Sequence, residues 1–159
     1  LGLYFLSARL GVLLWQISAF TLAHTVTLAL GAFELVTVPA AIVEPLIAAS
    51  IVFVAVENIA SPKLQVWRPA VVFGFGLLHG LGFAAVLGEF GLPTGHFIPA
   101  LVGFNIGVEL GQLTVVGVML LTLGLWFGNR PWFRARIAVP ASAVIGLIGA
   151  WWCVERLVL

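Results

Sequence analysis

Residues 98–127 read IPALVGFNIGVELGQLTVVGVMLLTLGLWF, and this stretch decides the class of fold. Only one of its side chains, Glu109, is charged. An apolar run of about 20 residues is enough to cross the hydrocarbon core of a bilayer as a helix. The stretch is longer than that, so it predicts a transmembrane helix that is tilted or that begins among the lipid headgroups.

The rest of the chain repeats this pattern. Hydrophobic residues make up 62% of the 159 residues and charged residues 8%, against about 45–50% and about 25% in soluble domains. We therefore expect an all-α, polytopic transmembrane bundle that forms a single domain over residues 1–159. Full spans are expected near 13–33, 38–60, 69–90, 98–127 and 137–158, and residues 1–9 are interpreted as the tail of a helix that begins upstream.

Basic residues indicate the orientation of the bundle. When consecutive breaks alternate between the two sides of the membrane, six basic residues fall on one side and only Arg156 on the other. The six are Arg9, Lys63, Arg68, Arg130, Arg134 and Arg136. Lysine and arginine accumulate in cytoplasmic loops, so the first side is predicted to be cytoplasmic and the C-terminus to lie outside. The net charge is only +1 and the basic residues form no cluster, which argues against nucleic acid as a partner.

Two histidines lie near the middle of predicted spans. His24 belongs to the first span and His79 to the third. An ionisable group at the bilayer centre costs roughly 2.5–3.5 kcal/mol on insertion scales. At that depth a neutral imidazole can bind a metal, carry a proton or donate a hydrogen bond to a neighbouring helix. For either histidine alone these alternatives stay open, but two at matched depth favour a shared site.

The fourth span has a polar face and a face of small residues. Asn105, Glu109 and Gln112 are spaced i, i+4 and i+7 and share one side of a helix. This stripe is interpreted as a path for a cation, or alternatively as amides in interhelical hydrogen bonds beside a protonated Glu109. Another helix could approach the small face closely. The small face consists of Gly103, Gly107 and Gly111.

The second span adds two carboxylates. Glu44 precedes Pro45, whose ring removes one helical donor and leaves the Ala41 carbonyl free, so carboxylate and carbonyl could together hold a cation. The alternative is a simple proline kink with Glu44 in water. Glu57 lies near the cytoplasmic end of the span and is expected to reach water there.

Four segments in this order resemble the HupE/UreJ family of membrane proteins. They are FTLAHTVTLAL at 20–30, VEPLIAASIVFVAVEN at 43–58, FGFGLLHGLGFAAVL at 73–87 and FNIGVELGQ at 104–112. The resemblance implies a multi-pass permease-like protein of a bacterial-type plasma membrane that handles nickel or cobalt. It points to five positions as metal-handling residues, namely His24, Glu44, His79, Asn105 and Glu109. Family members usually carry an upstream helix with an HxxxxxDH-like motif. LGLYFL at 1–6 is interpreted as the tail of that helix.

Three functions remain open at this point. A permease for a divalent transition metal ranks first, and imidazole and carboxylate ligands suit nickel, cobalt and zinc alike. The second function is an intramembrane metal-dependent hydrolase. The third is a non-catalytic subunit that binds partner helices through the glycine face of the fourth span. The sequence has no HExxH motif, nucleophile elbow or cysteine pair, so an enzyme is not indicated. In the first two cases His24, His79 and Glu109 are hypothesised to converge on one pocket near the membrane midplane.

Overall fold

The computed structural model describes residues 10–61, 65–89, 97–128 and 130–158. These residues form five helices and no strand. The first three are α1 (Leu10–Ala32), α2 (Ala40–Ala60) and α3 (Arg68–Glu89). Helix α4 runs from Phe97–Met119 through a π-helical turn, Leu120–Gly124, into Leu125–Phe127. Helix α5 begins with a π-helical turn, Arg134–Ala138, and continues as Val139–Val158.

The all-α fold class is confirmed, and the protein is a multi-pass membrane protein. Four helices are long and apolar enough to cross a bilayer. They are Gly11–Ala32, Ala40–Ala60, Ile98–Phe127 and Arg134–Val158. The predicted third span is present as helix α3, but its apolar segment, Arg68–Ala84, is shorter than the other four. The suggested helix tail at 1–9 lies outside the described residues.

The ends of the helices follow local rules of the sequence. Pro39 occupies the position directly before α2, where its missing N–H removes no helical hydrogen bond. Helix α1 ends in a Schellman motif, in which the backbone N–H of Leu35 donates to Leu30 and that of Glu34 donates to Gly31. Glu34 takes the left-handed position of this motif with φ 59°. Glycine usually occupies that position because a Cβ atom disfavours it.

Two tightly packed helix pairs, α1 with α3 and α2 with α5, build the bundle, and α2 and α3 join them. Glycines allow the close approach. A methyl group at Gly76 would lie 2.5 Å from the Phe20 carbonyl oxygen, and one at Gly80 would overlap the backbone of His24. In the second pair, a methyl group at Gly149 would lie 3.1 Å from Ile51. Gly76 and Gly80, which are four residues apart, thus form a small-xxx-small face through which α3 packs closely on α1.

Helix α4 is the least enclosed part of the bundle. It contacts α1, but most of its side chains are exposed. A methyl group added at Gly103, Gly107 or Gly111 would meet no atom of the described residues within 4 Å. The small face of α4 is thus open, and its use by partner helices remains a prediction.

Candidate functional site

His24 is buried in an aromatic cage between α1, α3 and α4. Its side chain is only 1% exposed. Its ring lies 5.4 Å from the ring of Phe83, 6.1 Å from that of Phe20 and 6.3 Å from that of Phe104, measured between centroids. Neither ring nitrogen has a hydrogen-bond partner among the described residues. A buried polar atom of this kind normally has a partner, so the cage holds unsatisfied hydrogen-bonding capacity in an apolar setting.

His79 lies on α3 and contacts the same Phe20 ring as His24. The centroids of His79 and Phe20 are 5.1 Å apart in an edge-to-face contact. Its Nδ1 lies 2.7 Å from the Phe75 carbonyl oxygen. A carbonyl oxygen can only accept, so Nδ1 carries the proton. In the neutral imidazole the lone pair of Nε2 is then available to a ligand, and the backbone bond fixes the orientation of the ring.

The two histidines therefore meet around one aromatic ring, but Glu109 does not join them. Glu109 is half-buried on α4, and no hydrogen bond or ion pair connects it to a described residue. Within the described ranges, no three His, Cys, Asp or Glu side chains are grouped closely enough to hold a metal ion. The convergence of His24, His79 and Glu109 on one metal remains a hypothesis.

The amides of the α4 stripe bind α1. The Thr25 hydroxyl donates to Asn105 Oδ1 at 2.8 Å, and Asn105 Nδ2 donates to the Leu101 carbonyl at 2.9 Å. Thr21 makes a longer contact, 3.5 Å, with Gln112 Oε1. The interhelical hydrogen bonds considered for these amides are thus present, and a metal-binding role for Asn105 stays a prediction.

Glu44 lies near the N-terminal end of α2, beside the C-terminal end of α5. Its Oε2 accepts from Arg156 Nε at 2.7 Å, and the two side chains are 41% and 47% exposed. Glu44 also lines a cavity of about 380 Å³ between α2, α3 and α5, together with His79. Pro45 lies within α2, and its carbonyl oxygen is 3.6 Å from the Cys153 thiol, which donates to it.

At the opposite end of the same three helices lies a buried polar cluster. Arg68 Nη1 is 3.6 Å from Glu57 Oε2, with the two side chains 1% and 6% exposed. Arg68 Nη2 donates to Asn58 Oδ1, and Asn58 Nδ2 donates to the Ser142 hydroxyl. The expectation that Glu57 reaches water is wrong, because α3 starts beside the end of α2 and Arg68 folds over the carboxylate.

A second cavity, of about 330 Å³, separates this cluster from His79. Asn58, Ser50 and Ser142 line it, and so does His79. The two cavities share His79 and Ile51. These two side chains therefore divide a cleft that extends between α2, α3 and α5, from the Glu44–Arg156 pair toward the buried cluster.

Sequence reasoning missed several buried polar residues. They are Gln16, Ser50, Arg68 and Ser142. Arg68 was counted only as a loop charge, although an arginine directly before a helix-starting proline could have indicated a residue facing the preceding helix end. Single serines and a glutamine in apolar runs carry no comparable pattern. His96, Lys63 and Arg9 lie outside the described residues.

Comparison with known proteins identifies the family. Neither the curated proteins nor the solved structures gave a significant match. The sequence model described as HupE / UreJ protein matches residues 1–156, which is nearly the whole chain. The resemblance seen in the four sequence segments is confirmed, and the chain belongs to the HupE/UreJ family of membrane proteins.

Proposed function

We propose that the protein is a permease-like carrier of a divalent transition metal, with nickel and cobalt as the leading candidates. The observation that carries this proposal is the position of His79, which lines both cavities between α2, α3 and α5. A transporter needs a ligand that can be reached in turn from either side of the membrane. The place of His79 between the two cavities is consistent with this requirement, and the membership of the chain in the HupE/UreJ family supports the same function.

The available donors suit a metal of this class. His79 and Glu44 line the same cavity, and imidazole with carboxylate binds nickel, cobalt and zinc. His24 contacts the same Phe20 ring and has no hydrogen-bond partner for either nitrogen among the described residues, so it is included in the proposed site. Glu109 and Asn105 remain the proposed contributions of α4.

Metal binding to the purified protein tests this function. We expect His79→Ala to weaken binding of Ni²⁺ or Co²⁺ by tenfold or more, since changes merely adjacent to metal ligands already cost about 10–100-fold. Equilibrium dialysis with elemental analysis measures the bound metal. Thr114→Val is the matched control, because its hydroxyl is exposed and donates only to the Leu110 carbonyl of its own helix. Equal binding by the His79→Ala variant and the parent would contradict the proposal.

We further propose that the end of the bundle bearing Arg68 and Arg134 faces the cytoplasm of a bacterial-type plasma membrane. Arg134 donates to the carbonyls of Asn58 and Ile59, so it lies at the same end as the Arg68 cluster. A cysteine replacing exposed Arg136 should react with a membrane-impermeant reagent only from the cytoplasm, and one replacing exposed Glu34 only from outside. The opposite labelling pattern would reverse the orientation.

A further inference from the structure

We infer that Glu44 forms a cation-selective mouth to the cleft between α2, α3 and α5, and that Arg156 is the resident competitor that an entering cation displaces. The inference deepens the proposed function and rests on it for the identity of the cation. Its basis is that Glu44 and Arg156, which form a partly exposed ion pair, both line the 380 Å³ cavity.

The strength of the pair suits exchange. The two side chains are 41% and 47% exposed, and exposed ion pairs contribute little to stability. A divalent cation carries twice the charge of the guanidinium and can take its place on the carboxylate. The other ion pair among the described residues, Arg68–Glu57, is almost completely buried, and removing one partner of such a pair costs several times more. Exchange is therefore easy at the Glu44 end and difficult at the Arg68 end.

The cavity leads from this mouth toward His79. Glu44 and Ile47 are one turn apart on α2, and Ala48 and Ile51 continue the same face. A cation that leaves Glu44 next meets the ring of His79, beyond which the second cavity begins. The α4 stripe offers no comparable route in the described residues, because Asn105 and Gln112 are engaged with Thr25 and Thr21.

Charge-selective labelling tests the mouth without requiring transport. A single cysteine replaces Ala48, which lines the cavity, in a protein whose Cys153 is changed to serine. The purified protein in nanodiscs is treated with a cationic and an anionic methanethiosulfonate of similar size, and the ratio of the two reaction rates is measured. Compared with this parent, Arg156→Gln should raise the cationic-to-anionic ratio about fivefold, the factor that corresponds to about 1 kcal/mol. Glu44→Gln should lower the ratio by a similar factor.

Glu155→Gln is the matched control, since it removes a carboxylate next to Arg156 without touching the pair, and it should leave the ratio unchanged. A second cysteine site at Ile47, which also lines the cavity, guards against an unreactive Ala48→Cys protein. Unchanged ratios in both the Arg156→Gln and Glu44→Gln variants, or failure of both cysteine sites to react after Arg156→Gln, would overturn the mouth. If the labelling ratios change as expected but the purified protein binds no metal, the proposed function is contradicted and the inference about the mouth still holds.

Discussion

Replacement of Arg68 by methionine is expected to lower the free energy of unfolding by about 3–5 kcal/mol. The substitution keeps an unbranched side chain but leaves the Glu57 carboxylate, only 6% exposed, without its cation. Removing one partner of a buried ion pair has a cost of this size because the remaining charge stays desolvated. Asn58 also loses the hydrogen bond that its Oδ1 accepts from Arg68. Unfolding in mixed micelles, followed by tryptophan fluorescence, measures the change.

The exposed pair at the other end of the bundle supplies the comparison. Glu44→Gln should change the same free energy by no more than about 1 kcal/mol, because water replaces the lost contact at a side chain that is 41% exposed. The double variant Arg68→Met with Glu57→Leu should recover much of the loss, since apolar replacement of a buried pair is often neutral. If Arg68→Met and Glu44→Gln have equal effects, the Arg68 cluster does not hold the bundle together as described.

The helices could be predicted because their evidence is local. Each helix is indicated by an apolar run, by a proline at its start or by a polar break between runs, and these signals lie within a few residues of the helix that they define. The observed helices begin within three residues of the starts of the predicted spans. Glu57 shows where this reasoning ends. Its position in the sequence gives its depth near the end of α2, but its burial depends on Arg68, which belongs to the next helix. Such a contact depends on how two helices pack, and a single sequence does not contain that information.

The candidate site shows the same limit. The positions of His24 and His79 near the middle of their spans predict that they lie at similar depth, and the structure places both against Phe20. Periodicity does not predict which of the other spans closes the site. The hypothesis chose α4 and Glu109, whereas the cavities that reach His79 are lined chiefly by α2, α3 and α5. Which helices line the site depends on which helices pack against each other. That packing depends on how the glycines of two facing helix surfaces combine.

Replacement of His24 by leucine is expected to separate stability from function. Leucine has a similar volume and no polar atom. His24 is 1% exposed, and neither of its nitrogens has a partner among the described residues; a buried unsatisfied polar group costs about 1–3 kcal/mol. The free energy of unfolding of the variant should therefore equal that of the parent or exceed it by about 1–2 kcal/mol. Its affinity for Ni²⁺ or Co²⁺ should fall tenfold or more.

The free energy of unfolding and the metal affinity of the His24→Leu variant must be interpreted together, because a change in either one alone has more than one explanation. Lower stability with unchanged metal affinity would show that His24 has a structural partner and no part in metal handling. Val26→Leu is the matched control, since this residue lies on the exposed side of α1 and should change neither quantity. A side chain whose removal stabilises the fold and abolishes binding is one retained for its chemistry. That outcome would establish His24, which contacts Phe20 as His79 does, as part of the metal site.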